Sequence, residues 1–364
     1  MACSALITAA DWHAHHARSR HRESRARRSR AASGTGRYEE SIRRVVNADN
    51  TARLRSEELS KGFCNSVHLV RGVNGDDEAL VVKLYSDLSL LRTESDQRGA
   101  VDKIASVFGL GPTVWSSTHE GIAHSFVPGR VLEEVDMHTR SDVGVAAARL
   151  VARFHSLQVP REFDAERQPL LWKWFDRMLD EIGASDDVGV LPDSVNLDVL
   201  RAEVKEMRES ITSAGEMFTV VLAHGDLKPA NVMLQNDAPV ELKLIDLELS
   251  GPNYRGFDLM KLFRTNSETF SEEKFAAFLS EYCRAARLDE NAVRNIEAET
   301  KLFEPLTWLE AAVFFALVVV LGTDAGGPSG DSARWLDLLH SRYDSYLETR
   351  QLFAHHMSQL TRAE

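Results

Sequence analysis

Cysteine is scarce, with only Cys3, Cys64 and Cys283 in 364 residues. An odd number at wide spacing builds neither a disulfide framework nor a cysteine-zinc site, and it fits a reducing compartment. No apolar run is long enough for a bilayer, which takes about 20 residues. The longest, AAVFFALVVVLG from Ala311 to Gly322, is expected to form a buried helix. No secretory apolar segment follows the basic start of the chain. Surplus positive charge is also missing. The formal net charge is -12, which excludes a general nucleic-acid binder, because neutralising phosphates takes an excess of Lys and Arg. A nucleotide is still within reach, since local loops and Mg²⁺ can supply positive charge. There are no internal repeats. With 43% hydrophobic and 27% charged residues, the composition is that of a globular protein with room for one large domain or two lobes.

Composition changes along the chain. Residues 1–37 are rich in Arg, His, Ser and Ala, with only Asp11 and Glu23 opposing them. They read as a disordered basic tail or an organelle transit peptide. The expected location is therefore the cytoplasm, or an organelle if the segment is a transit peptide. Residues 38–127 read as a β-rich lobe. EALVVKLYS is an apolar β run with Lys83 inside it, SLLRTESDQRGAVDKIASVF has helical spacing, and a hairpin is expected around Glu120 and Gly121. Residues 128–364 are mostly helical, interrupted by the β runs FTVVLA and VELKLIDLEL. The expected fold class is α+β, a small β-rich lobe followed by a larger helical one.

The densest chemistry lies in HGDLKPANVML, His224 to Leu234. A carboxylate, a lysine and a carboxamide stand within six residues on a chain reversal between β runs. Asp226 suits the task of orienting a hydroxyl and accepting its proton. Lys228 suits charge on a transferred phosphoryl group, and the amide oxygen of Asn231 suits Mg²⁺. His224 is expected to brace the loop. Fifteen residues on, LKLIDLELS places Asp246 at a strand end as a second metal carboxylate, with Glu248 on the same side if the strand continues. Phosphoryl transfer asks for this set, being mainly a matter of positioning and electrostatics.

HGDLKPAN followed by LIDLELSGPNYRGFDL resembles the choline/ethanolamine kinase family, within the protein-kinase-like and aminoglycoside-phosphotransferase-like group. GFCNSVHLV, EGIAHSFVPGRVL, ARLVARFHSL and RYDSYLETR extend the likeness from about Tyr38 to about Leu352. The resemblance implies a bilobal protein-kinase-like fold that uses ATP and Mg²⁺ to phosphorylate the hydroxyl of choline or ethanolamine, feeding phospholipid headgroup synthesis. By the same resemblance, Asp226 is the base, Asn231 and Asp246 hold Mg²⁺, Lys83 reaches the ATP phosphates, and Gly62 and Asn65 shape the loop over them. Glu94 is expected to orient Lys83 from the following helix. A homodimer is allowed by the resemblance but not indicated by the residues.

Several positions depart from the family pattern. Gly225 stands where Asn is usual, closer to aminoglycoside phosphotransferases, and the N-H-F-x-E run has become MKLFRTN from Met260. The family's aromatic cage is thinned: Leu249 fills its tyrosine position, and Trp308 remains with Ala311 three residues on. Trp335, Tyr343 and Tyr346 are further candidates for it. A quaternary ammonium needs aromatic faces, whereas a primary ammonium can be held by carboxylates. Ethanolamine is therefore expected over choline, with Asp226, Glu248, Trp308 and Glu310 at the acceptor. The alternatives are a related kinase for another hydroxyl compound and a non-catalytic kinase-shaped binding protein.

Overall fold

The computed structural model describes residues 38–49, 53–61, 65–73, 78–166, 168–264, 270–289, 291–322 and 332–361. The basic segment 1–37 and Gly62 lie outside them.

Helix α1 (Glu39–Val46) buries Ile42, Val45 and Val46 on one face. That face lies on an antiparallel sheet of β1 (Arg55–Lys61), β2 (Ser66–Arg71), β3 (Leu80–Leu84), β4 (Val114–Ser117) and β5 (Gly121–Ser125), in the spatial order β1-β2-β3-β5-β4. Side chains alternate across a strand. Leu80, Val82 and Leu84 of β3 accordingly enter the small core with Ile42 and Val45, which turns Lys83 to the opposite face. That alternation aims Lys83 at the rest of the molecule.

The helix expected through SLLRTESDQRGAVDKIASVF is broken in two. Helix α2 (Asp87–Leu91) stops, turns occupy residues 92–99, and α3 (Ala100–Val107) follows. Gly99 explains the restart: its φ is +73°, and a Cβ there would meet the Ser117 hydroxyl at 2.4 Å. Only glycine adopts that conformation in that space without strain.

The larger core takes in Leu88, Ala100, Val101, Ala105 and Leu110, and most of it is built after the short strand β6 (Arg130–Val131). Helices α4 (Glu134–Thr139), α5 (Ser141–His155), α6 (Leu170–Gly183) and α7 (Leu197–Ser213) precede β7 (Val220–Ala223). A hairpin of β8 (Val232–Asp237) and β9 (Val240–Leu244) comes next, with β6 paired to β8. The strand β10 (Gly251–Tyr254) then returns antiparallel to β7. VELKLIDLEL is thus a strand only as far as Leu244, and GPNY supplies a further one.

Helices α8 (Arg255–Phe263), α9 (Glu272–Ala285), α10 (Ala292–Leu302), α11 (Glu304–Leu321), α12 (Ser332–Arg350) and α13 (Phe353–Thr361) complete the chain. Helix α11 is apolar on nearly all sides because neighbours surround it, and Leu309, Ala312, Val313, Ala316 and Leu317 are fully buried. Ala292–Leu321 is the one helical stretch among the described residues long and apolar enough to cross a bilayer, and most of it is buried inside the protein.

Candidate active site

The HGDLKPAN loop leaves β7 and is clamped from beneath. The Asp258 carboxylate, fully buried on α8, accepts the backbone N–H of His224 at 2.5 Å and of Gly225 at 2.8 Å, and it meets His155 Nε2 at 3.2 Å. His224 Nε2 lies 2.9 Å from the Ile245 carbonyl oxygen, tying the loop to the segment that carries Asp246. Gly225 has φ +81°, and a Cβ there would come within 2.4 Å of the Leu249 carbonyl oxygen and 2.7 Å of Trp174. Asparagine tolerates the left-handed conformation but not that contact, which accounts for glycine at this position.

The loop holds its functional groups close together. Lys228 Nζ lies 2.8 Å from Asp226 Oδ2, and Asn231 Nδ2 donates to the Asp226 carbonyl at 2.8 Å and to Oδ2 at 3.2 Å. The Asn231 amide oxygen is left without a donor among the described residues. Backbone N–H of Ile245 donates to the Asn231 carbonyl at 3.0 Å, so Asn231 and Asp246 come from adjoining backbone. Burial would raise the Asp226 carboxyl, but Lys261 and then Lys228 outweigh it and hold the group well below the usual carboxylate range. A carboxylate held so low accepts a proton weakly in the ground state. It is suited to orient an alcohol and take its proton late, as the new P–O bond acidifies the hydroxyl.

Asp246 takes a left-handed turn, φ +64°, and the chain continues as a 3₁₀ turn through Leu247–Leu249. The strand does not continue, yet Glu248 still reaches the same cleft. Lys83 forms an ion pair with Asp246 and another, at 2.6 Å, with Glu248. Glu248 also accepts Asn65 Nδ2 at 2.8 Å and the Ser89 hydroxyl at 3.2 Å. With three donors from the β-rich part, Glu248 belongs to the Lys83 side, and the acceptor role expected for it does not fit. Asn65 is a bridge, taking the Ser86 N–H at 3.1 Å while donating to Glu248.

Glu94 does not reach Lys83. It pairs with Lys173 at 3.0 Å and with Arg177, both on α6. The break in the helix explains this, because Glu94 falls among the turns and faces the helical part. The acid that does act on Lys83 from α3 is Asp102, which burial pushes up to about 6 against the pull of Lys83.

The acceptor side differs most from expectation. Glu310 is buried on α11 and already engaged, 3.0 Å from Lys261 Nζ and 3.4 Å from Arg92. Lys261, on α8, also reaches Asp226 Oδ1 at 3.0 Å, so one ammonium joins the two carboxylates. Trp308 is 4% exposed, and its ring carries two guanidiniums, Arg264 at 4.2 Å and Arg342 at 5.3 Å from the centroid. Trp335, Tyr343 and Tyr346 are core residues. Trp335 stacks on Phe315, and Tyr346 donates its hydroxyl to Glu203 at 2.5 Å beside Tyr343.

The sequence profile of the choline/ethanolamine kinase family matches residues 57–292, more than half of the chain. The chain belongs to the choline/ethanolamine kinase family. Its members are phosphotransferases with an alcohol acceptor. A probable ethanolamine kinase of Arabidopsis thaliana is 28% identical over 279 residues, which cover 71% of this chain and 72% of that protein. The crystal structure of a choline kinase from Cryptosporidium parvum superposes with a TM-score of 0.66 at 16% identity, over 87% of this chain and 95% of the other. A GDP complex of an aminoglycoside 2′-phosphotransferase variant gives a TM-score of 0.54 at 16% identity, over 89% and 100%. These structures establish the fold as the bilobal kinase-like one.

Within that fold the Mg²⁺ ion that the resemblance implies would have a chemically suitable place. Hard oxygen ligands suit Mg²⁺, which binds one or two protein oxygens and takes the rest from phosphates and water. The free amide oxygen of Asn231 and the Asp246 carboxylate supply such a set. Among the described residues no group of three or more His, Cys, Asp or Glu could hold a metal. Sequence reasoning missed Lys261, Arg92, Arg264, Arg342, Asp102 and the clamp by Asp258. A signal existed for Lys261: a charged residue inside the apolar run DLMKLF of a buried helix needs a buried counter-ion.

Proposed function

We propose that this protein is a Mg²⁺-dependent kinase that transfers the γ-phosphoryl group of ATP to the hydroxyl of a small alcohol. The observation that supports it is the continuous chain of contacts from Lys83 through Asp246 and Asn231 to Asp226 and Lys228. Those groups meet where the β-rich part touches the helical part. Lys83 binds phosphate oxygens, Asn231 and Asp246 would hold Mg²⁺, and Lys228 faces the transferred group. The bound Mg²⁺ supplies charge neutralisation along the phosphates. Asp226 orients the acceptor hydroxyl and receives its proton. Retention of all these groups in one place argues against a non-catalytic role.

Between the two amino alcohols of the family, ethanolamine is the better fit and would feed phospholipid headgroup synthesis. Choline needs open aromatic faces, and the Trp308 ring already has Arg264 and Arg342 over it while Leu249 has no ring to offer. A second reading, a hydroxyl compound without an ammonium, is favoured by Lys261, which already stands between Asp226 and Glu310. The proposal includes a reducing compartment: the cytoplasm if residues 1–37 are retained, an organelle if they are removed. Mass spectrometry of the mature N-terminus decides that point.

The test is ADP release from Mg·ATP across a panel of alcohols, with Asp226→Ala alongside. Turnover of the wild type should fall by about 10²–10⁴ in the variant, the usual contribution of a positioned proton acceptor, while Mg·ATP binding survives. Unchanged turnover would remove Asp226 from the mechanism.

A further inference from the structure

Helix α8 grips the catalytic loop twice with one face. Asp258 and Lys261 stand an i, i+3 step apart on it, a spacing that brings two side chains over the same patch of helix surface. Asp258 takes two of the loop's donors, the N–H groups of His224 and Gly225. Lys261 takes two of its acceptors, Asp226 Oδ1 at 3.0 Å and the Gly225 carbonyl at 3.4 Å. The first grip shapes backbone; the second reaches the side chain that meets the acceptor alcohol.

The two oxygens of Asp226 are held in different ways. Oδ2 faces Lys228 at 2.8 Å and the Asn231 amide at 3.2 Å. The Lys228 side chain is 48% exposed. An ion pair that open to solvent is weak, and its flexible stem lets the ammonium turn toward a phosphoryl group. Oδ1 faces Lys261, whose side chain is 4% exposed. That ammonium also meets Glu310 Oε2 at 3.0 Å and lies 5.2 Å from the centroid of the buried Phe257 ring. Asp226, Glu310 and the Gly225 carbonyl together answer the three donors an ammonium carries. Glu310 is braced at its other oxygen by Arg92 at 3.4 Å. One lysine beside the base is therefore anchored and the other is mobile.

We infer that Lys261 is a positioning residue for phosphoryl transfer: anchored by Glu310, it fixes Asp226 through Oδ1 and leaves Oδ2 to receive the acceptor's proton once Lys228 turns to the phosphoryl group. This rests on the kinase reading above and gives the two lysines separate tasks. In the reaction the acceptor oxygen bonds to the γ-phosphorus, the bond from that phosphorus to the β–γ bridging oxygen breaks, and ADP leaves with its electron pair. The hydroxyl proton passes to Oδ2 and then to water. Lys261 exchanges no proton in this sequence; it keeps the carboxylate from rotating.

A merely structural lysine would serve only to neutralise Glu310, and the experiment separates that role from positioning. Full-length wild type, Glu310→Gln, Lys261→Met and the double variant Lys261→Met/Glu310→Gln are compared with Mg·ATP and ethanolamine, or the best alcohol of the panel if another leads. With Glu310 uncharged, a structural lysine has no task left, so the double variant would match Glu310→Gln. Positioning predicts instead that kcat of the double variant lies about 10- to 100-fold below that of Glu310→Gln, with Kd for Mg·ATP unchanged. Equal kcat values overturn the inference and leave the kinase reading standing. A second measurement needs no variant to fold: the wild-type structure with Mg²⁺ and a non-hydrolysable ATP analogue. Lys261 should stay within hydrogen-bond reach of Oδ1 while Lys228 has left Oδ2. Lys261 withdrawn from Asp226, or Lys228 still on Oδ2, also overturns it. A wild type that binds no Mg·ATP would remove the kinase reading itself, and this inference with it.

Discussion

The two sides of the cleft use ion pairs in opposite ways. On the nucleotide side one cation, Lys83, is shared by two acids, Asp246 and Glu248, with Asp102 close enough to feel its charge. That side has acid to spare, which suits a cationic visitor such as a metal carrying phosphates. On the other side Lys228 and Lys261 pair with Asp226, Lys261 and Arg92 pair with Glu310, and Arg264 and Arg342 lie over Trp308 where the charge of Glu134 acts on both. There each of the two acids is held by two cations. One side shares a cation between two acids and the other holds each acid with two cations, a difference that motif residues alone would not reveal.

Removing the shared cation gives the largest effect. Lys83→Met leaves Asp246 and Glu248 facing each other half-buried. Breaking a buried pair by deleting one partner costs about 3–5 kcal/mol. Losing a charged hydrogen bond to phosphate weakens Mg·ATP by about 1.5–3 kcal/mol, roughly 10- to 100-fold in Kd. Thermal unfolding and nucleotide calorimetry on the same sample separate the two losses. If both were small, the nucleotide side would not depend on Lys83, and the contrast between the sides would fail.

These two sides were also unequally legible. His224, Asp226, Lys228 and Asn231 fall within eight residues, and a short loop leaves few ways to separate them in space, so the sequence could be read almost directly. Lys83 was found because strand alternation and a single basic residue in an apolar run leave one option. The acceptor side is assembled from α8, α11, α12 and the turns after α2, so its pairings depend on how distant helices meet. The partners of Glu310 and Trp308 could not be read from the sequence: Lys261, Arg92, Arg264 and Arg342 lie between 34 and 218 residues away from the residue each one meets. Glu94 failed for a local reason, since helical spacing through residues 89–108 hid the break imposed at Gly99.

An intermediate effect is expected from Asp102. Its carboxyl is pushed up by burial to about 6 from an ordinary 3.8. Between those values the folded state binds more protons than the unfolded one, so stability falls as pH rises from about 4 to about 6. Above pH 6 the ionised group remains a penalty of at most about 3 kcal/mol. Asp102→Asn should therefore flatten that decline and raise the unfolding temperature at pH 7, in protein free of Mg²⁺ and nucleotide. An unfolding temperature at pH 7 lower than that of the wild type would mean that the negative charge supports Lys83 rather than crowding Asp246 and Glu248, and the acid surplus on the nucleotide side would be overstated.

The smallest effect sharpens the comparison by exclusion. Glu94 pairs with Lys173 and Arg177 at a position open to solvent, where screening and side-chain entropy leave ion pairs worth about 0–1 kcal/mol. Glu94→Gln should shift the unfolding temperature slightly and leave the KM for ATP unchanged. A partner of Lys83 would behave otherwise, because its loss would free the ammonium to swing and raise the KM for ATP severalfold. Finding that rise would return Glu94 to the nucleotide side and require the turns at residues 92–99 to close differently when ATP is bound.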